Sequence, residues 1–287
     1  MKIIHLINLF RGSPENDIIQ RRTLESLCYA HSFASHASIN VVYCLVGSDD
    51  DIRYAESLFS DMTFEGECCI INVGSYRSYA FLHGRSNPSL TDTFFHPELK
   101  SFVSAASGPD DDVFVVISNS DICLRPHAYV GIALVRSKDR DASFVINRET
   151  ISADLLDKPI AHSFAASGET HPGHDFFCMP ISTYLNIDLD EGGHVVGFGF
   201  VMRPVLANLL FAPHSFWEIR SSRLSFHYGD DMPWKDQKWA DVLAFNKTGM
   251  NNVYWRLHAR FYGSLPDSRR EMLNRFFPPS LLTSSDV

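Results

Sequence analysis

Three short clusters hold the residues whose types could do chemistry: Asn119-Ser120-Asp121, His171-Pro-Gly-His174-Asp175 and His227-Tyr-Gly-Asp230-Asp231. A carboxylate beside an amide and a hydroxyl suits a hard divalent cation that in turn holds phosphates. An imidazole is acceptable to manganese-like ions. Asp121 and His227 would supply one oxygen and one nitrogen from distant parts of the chain. The same residues have plainer uses, Asp121 as the cap of a following helix and His227 as a hydrogen-bonded strand end. In the second cluster, three candidate ligands in five residues point to zinc, although Pro-Gly between the histidines breaks helical spacing. Asp175 precedes Phe176 and Phe177, and an acid backed by apolar surface can have its pKa raised, which suits a general base. Its plainer use is to hydrogen-bond the Pro-Gly turn.

The elements that would position these residues follow from the hydrophobic pattern. Val113 to Ile117 is a continuous apolar run introduced by acids and stopped by small polar residues, as in a strand buried on both faces. Pro126 then opens an apolar helical segment from Ala128 to Val135. Asn119 to Asp121 therefore sit at the carboxyl end of a central strand, the edge where open α/β sheets bind ligands. Lys2 to Leu9, Ile39 to Val46 and Cys68 to Val73 read as further strands, separated by helices from Asp17 to His36 and from Asp51 to Phe59. Strand and helix alternate without hairpin signals, so the expected fold is α/β, a mostly parallel sheet flanked by helices. On such a sheet Asn8, Arg11 and Asp49 share the edge with Asp121, which argues for one ligand cleft.

Farther on, Ser143 to Asn147 is expected as a strand closed by Arg148, a residue suited to a phosphate, a sugar hydroxyl or a surface ion pair. Periodicity fades from Ile151 to Thr170. Val195 to Met202 reads as a strand or a tight packing surface, Pro204 to Phe211 as a short helix, and Glu218 to Tyr228 as a strand. Tyr76 to Thr93 reads as an irregular connection.

The chain has 287 residues, 45% of them hydrophobic, enough for a substantial core. Twenty-five Lys and Arg against 34 Asp and Glu leave a net charge of −9, which argues against general nucleic-acid binding. The six cysteines form no C-x-x-C pair and lie mostly in apolar runs, so free thiols in a reducing, cytoplasmic setting are expected. Met1 to Phe10 is interrupted by His5 and Asn8 and does not read as a signal peptide. Asn246-Lys-Thr248 matches a glycosylation acceptor by chance. No P-loop, Gly-x-Gly-x-x-Gly or Gly-x-Ser-x-Gly stands at the right place.

A parallel βαβ opening followed by a strand that ends in Asn119-Ser120-Asp121 resembles the GT-A class of nucleotide-sugar glycosyltransferases, whose triplet is usually Asp-x-Asp. The likeness covers roughly residues 1 to 231, with Asn119 departing from the pattern by removing one carboxylate. It implies a divalent metal, Mn or Mg, bridging Asp121 and the donor diphosphate, with His227 as the late second ligand. It further implies an acid from the later half as base, here Asp175, with Asp230 and Asp231 behind it. Asn8, Arg11, Asp49, Asn119 and Arg148 would bind the donor, and the acceptor would be a glycan or a lipid-linked hydroxyl. Phe176, Trp217 and Trp234 could stack on sugar faces or pack in the core.

Three other functions fit parts of the pattern. A nucleotidyltransferase shares the sheet edge and metal, with Arg11-Gly-Ser-Pro as an echo of its phosphate loop. A metal-dependent hydrolase would use the His171 to Asp175 cluster, and a non-catalytic nucleotide-binding protein would carry a decayed site. Residues 1–250 are expected to form the catalytic domain and 251–287 a basic, aromatic helical extension. That extension would either touch an anionic membrane peripherally or pack its aromatics on the main domain.

Overall fold

A computed structural model of the chain describes residues 1–9, 14–62, 64, 66–72, 90–106, 112–189, 194–229 and 237–282. The chain forms two compact units. The first comprises Met1–Ser75, Thr93–Leu185 and Trp217–Asp231. Its first half alternates strand and helix: β1 (Lys2–Asn8), α1 (Pro14–His36), β2 (Asn40–Gly47), α2 (Asp49–Asp61) and β3 (Glu67–Asn72). Two short helices follow, α3 (Leu90–Phe94), which begins in the other unit, and α4 (Pro97–Ala105). After them come β4 (Val113–Asn119), β5 (Cys123–Leu124), α5 (Ala128–Lys138), β6 (Ser143–Ile146) and β7 (Glu149–Ile151). The unit continues with α6 (Ile160–Ala165), β8 (Glu169–Thr170), β9 (Phe176–Pro180), α7 (Ile181–Leu185), β10 (Phe216–Ile219) and β11 (Ser225–Tyr228).

Seven strands make the main sheet in the order β10-β6-β9-β4-β1-β2-β3, with β4 in the middle. The expected parallel arrangement holds for β4, β1, β2 and β3. These strands are apolar because both faces are covered; Ile3, Ile4, Leu6, Ile7 and Val113 to Ile117 are all buried. Each such side chain contributes about 1.5–3 kcal/mol by leaving water. On its other side β4 meets β9 in antiparallel register, and β9 meets β6 likewise. No strand was expected at Phe176–Pro180, since an apolar run of five residues has no period to read. One face of the sheet packs on α1, α2 and α5 through residues such as Leu24, Leu27, Ala55 and Ile132. The polar residue on that face, His5, is fully buried and bonds Tyr129 Oη at 2.7 Å and Ser118 Oγ at 2.8 Å. Burial lowers its pKa to about 3, so it stays neutral.

A second sheet of four short strands, β5-β11-β7-β8, stands beyond the carboxyl end of β4. The expected single strand from Glu218 to Tyr228 is instead divided between the two sheets. Ser221 and Arg223, both in the left-handed region at φ 51° and 55°, break the chain between β10 and β11. Arg125 braces this second sheet. Fully buried, it donates from Nη2 to Glu149 Oε2 at 2.6 Å and to Ala166 O at 2.7 Å, and from Nη1 to the Ser163 and Phe164 carbonyls.

The second unit comprises Tyr76–Asp92, Asn186–Phe216 and Met232–Val287. Its axis is α8 (Arg203–Phe211), apolar all round and buried from Pro204 to Phe211. Against it lie α9 (Ala240–Phe261) and α10 (Asp267–Phe276). Helix α9 runs unbroken through the expected boundary at 250/251. Of the tail aromatics Tyr254, Phe276 and Phe277 are buried, while Trp255, Phe261 and Tyr262 are half-buried. Its arginines are also engaged: Arg269 caps the carboxyl end of α8 by donating to the carbonyls of Leu209, Leu210 and His214 at 3.0, 2.9 and 2.6 Å. Arg256 grips both oxygens of Asp188 at 3.0 and 2.9 Å.

The expected strand from Val195 to Met202 is a series of turns, because Gly197 and Phe200 take positive φ, 89° and 69°. Asn246 pins those turns by accepting from Val195 N at 2.8 Å and donating to Val195 O at 3.0 Å. Buried and so engaged, it is no glycosylation acceptor. All six cysteines are free thiols. Among the described residues no helix is long and apolar enough to cross a membrane.

Candidate active site

The carboxyl end of β4 is where the predicted residues gather. Asn8 and Asn119 face each other in register across β1 and β4. Asn8 is buried, yet its Oδ1 has no hydrogen-bond partner. Beyond Asn119 the chain turns, with Ile122 N–H donating to Asn119 O at 3.2 Å. Asp121 lies on this turn. It is not a helix cap, since α5 starts at Ala128 with His127 before it.

The second sheet delivers His227. Strand β11 pairs with β5 and β7, so that Phe226 faces Cys123 and His227 faces Thr150. His227 Nδ1 donates to Gly229 O at 2.9 Å, which leaves Nε2 facing Asp121 Oδ2 at 3.3 Å. Gly229 permits this curl by adopting φ +67°. Burial disfavours both charges, but each group offsets it for the other. The His227 hydrogen bond and charge hold the Asp121 pKa below its ordinary value, aided by Arg148. For His227 burial lowers the pKa and Arg148 opposes the charge, yet the hydrogen bond and charge of Asp121 raise it overall.

Asp121 Oδ1 is enclosed and has no hydrogen-bond partner. An orphaned carboxylate oxygen beside an imidazole whose far nitrogen is fixed on a carbonyl is a donor set that fits a manganese- or magnesium-like ion. Among the described residues no group of three or more His, Cys, Asp and Glu side chains joins in this way.

Arg148 and Asp175 form the second half of the site. Arg148 Nη1 donates to Asp175 Oδ2, both side chains mostly buried. The loop carrying Asp175 is tied down by Asn147, whose Nδ2 donates to His171 O at 3.3 Å and Gly173 O at 3.2 Å. His171 N–H in turn donates to Arg148 O at 2.9 Å. The three cluster residues proposed for zinc diverge. His171 Nδ1 accepts from Gly173 N at 2.9 Å, His174 faces Glu218 at 3.5 Å, and Asp175 meets Arg148.

Asp49 stands in the first turn of α2, exposed, at the end of β2; Ser48 and Asp51 form the capping box there. Arg11, Asp230, Asp231 and Trp234 lie outside the described residues. Phe176 is in the core and Trp217 packs against it. Sequence reasoning overlooked Asn147, Glu218 and the Arg125–Glu149 pair. A lone Arg inside the apolar stretch Ile122-Cys-Leu-Arg125 was the available signal, since a buried Arg requires a partner.

No protein-family model matches the chain. No curated protein matches it either. Its backbone is similar to solved structures. One is TarS of S. aureus with UDP-GlcNAc: 10% identity, TM-score 0.47, covering 96% of this chain and 80% of that one. Another is a mannosyltransferase from Pyrobaculum calidifontis with GDP-Man and Mn2+: 9% identity, TM-score 0.45, covering 95% and 78%. A third is mouse xyloside xylosyltransferase 1: 12% identity, TM-score 0.36, covering 63% and 67%. At these identities and scores the likenesses assign no substrate and no side-chain role.

Proposed function

We propose that this chain is a glycosyltransferase that moves a sugar from a nucleotide-sugar donor to a hydroxyl of a glycan or lipid-linked acceptor. The observation that carries this reading is the meeting of Asp121 and His227 at the carboxyl end of the central strand, with Asp121 Oδ1 left unpartnered. Asp121 and His227 would hold a divalent cation, Mn or Mg, which when bound supplies positive charge beside the donor diphosphate. Two protein ligands suit an ion that completes its shell with phosphate oxygens and water.

Asn8 and Asn119, paired across β1 and β4, offer amide groups to the nucleotide, and Asp49 lies at the same edge at the end of β2. Arg11, just after β1, belongs to the same donor-binding set. Arg148 offers a guanidinium to the diphosphate. Asp175 takes the proton from the acceptor hydroxyl as that oxygen attacks the anomeric carbon and the bond to the diphosphate breaks. The positive charge of Arg148 meets the negative charge that builds on the leaving group.

A thermal-shift panel of nucleoside diphosphates and nucleotide-sugars, with and without Mn, tests this on wild type and Asp121→Ala. Stabilisation by one nucleotide that needs both Mn and Asp121 is the expected result. No shift with any nucleotide contradicts it.

A further inference from the structure

Arg148 has two calls on its charge. Its Nη1 is paired with Asp175 Oδ2, with the two side chains only 13% and 21% exposed. Its charge also reaches Asp121 and His227, where it favours the carboxylate and opposes the imidazolium. Its Nε, however, is buried and has no hydrogen-bond partner. A buried guanidinium N–H without an acceptor carries a desolvation cost that an arriving oxygen would relieve. On the other side of the pair, the backbone of the Asp175 loop is pinned by Asn147 at 3.3 and 3.2 Å and by the backbone carbonyl of Arg148 at 2.9 Å. The loop is held in place, while the Arg148 guanidinium rides on a long side chain with rotatable bonds.

A carboxylate oxygen already occupied by a guanidinium N–H is not open to an acceptor hydroxyl. A diphosphate carries more charge than one carboxylate and matches the guanidinium fork equally well. We propose that Arg148 guards Asp175: in the donor-free protein it neutralises the carboxylate, and a diphosphate oxygen arriving at its Nε edge draws the guanidinium away. Asp175 is then free for the acceptor hydroxyl only when a donor is in place. No covalent change is involved; one ion pair is exchanged for another. This rests on the roles given above to Asp175 and to the Asp121 end of the site.

The test is carbodiimide-promoted coupling of glycine ethyl ester to Asp175 in the full chain, read by peptide mass spectrometry. Samples contain Mn and, in turn, UDP, GDP, ADP or CDP, and binding is followed by thermal shift in the same samples. Labelling of Asp175 is expected to be low in nucleotide-free wild type and about fivefold higher with the nucleotide that binds, as an ion-paired carboxylate becomes free. Arg148→Gln should label strongly with or without nucleotide, and Arg148→Lys, which keeps the charge but not the fork, should fall between. A nucleotide that binds while Asp175 labelling stays level or falls in wild type overturns the guard and leaves the transferase reading standing. Failure of every nucleotide to bind overturns both. The wild-type comparison decides the question even if a variant fails to fold.

Discussion

Two arginines flank the small second sheet, and they are used in opposite ways. Arg125 commits both terminal nitrogens, to three backbone carbonyls and to Glu149, and stacks its guanidinium over Phe226 at 5.3 Å. Arg148 has one ion pair, to Asp175. Their carboxylates differ as well: Glu149 is enclosed within the second sheet, whereas Asp175 stands on a loop and is 21% exposed. Nε is buried without a partner in both arginines, so the difference lies in their terminal nitrogens: those of Arg125 are committed to four acceptors of the fold, whereas Arg148 gives one bond, to Asp175. The prediction is that changes at the first cluster act on stability and changes at the second act on chemistry.

The largest effect should come from Asp121→Ala, which removes the oxygen donor of the proposed cation site. Transferase turnover is expected to fall by about 100-fold or more, the scale of losing one transition-state electrostatic group. The thermal midpoint in the absence of ligand should hardly move, because Asp121 is half exposed and its partner His227 keeps Gly229. A comparable fall in both would break the comparison. Next, Arg125→Ala should destabilise the fold by about 3 kcal/mol, since buried Glu149 keeps only the half-exposed Arg223 at 3.8 Å and three carbonyls lose their donor. Urea denaturation measures this; replacing both partners by apolar residues should recover much of the loss.

The two arginine uses also explain what could be read in advance. Strands β1, β2 and β4 were legible because double burial writes continuous apolar runs, and the carboxyl edge of a parallel sheet follows from topology alone. The second sheet was not legible, since its strands are two to four residues long, too short for a period of two to register. Strand β9 was hidden for a related reason: Phe176–Pro180 is uniformly apolar and stands between Pro-Gly and a Pro, which reads equally as loop or core. Residues 121 and 227 were joined in advance by ligand type and by family likeness, and the contact itself depends on β11 pairing with both β5 and β7. The pairing of Asp175 with Arg148 could not be read at all. It depends on β9 entering antiparallel, which carries residue 175 to the same edge as the end of β4.

Smaller effects sharpen the stability side. Arg269→Ala should cost about 1–3 kcal/mol by stripping the last carbonyls of α8 of their donor. The same denaturation series reads it, and turnover should be unchanged once the variant is folded. The smallest effect concerns acid. Arg136 donates to Asp112 from Nη2 and, at 3.0 Å, from Nε; this hydrogen bonding outweighs burial and lowers the Asp112 pKa. A depressed carboxylate contributes its full stability above the ordinary value of 3.8 and loses it as pH falls through the lower folded value. Asp112→Asn should therefore lower stability near neutrality and flatten the acid side of the stability profile, as followed by thermal midpoints from pH 7 down to acid.

The central claim is that Asp121 and His227 together make a cation-dependent diphosphate site. Calorimetric titration of wild type, Asp121→Ala and His227→Ala with a nucleoside diphosphate, with Mn present and with Mn removed by chelation, tests it most directly. Wild type should bind tightly only with Mn, and each variant should lose that dependence along with most of the affinity. Binding of equal strength and equal Mn dependence in Asp121→Ala would contradict the account.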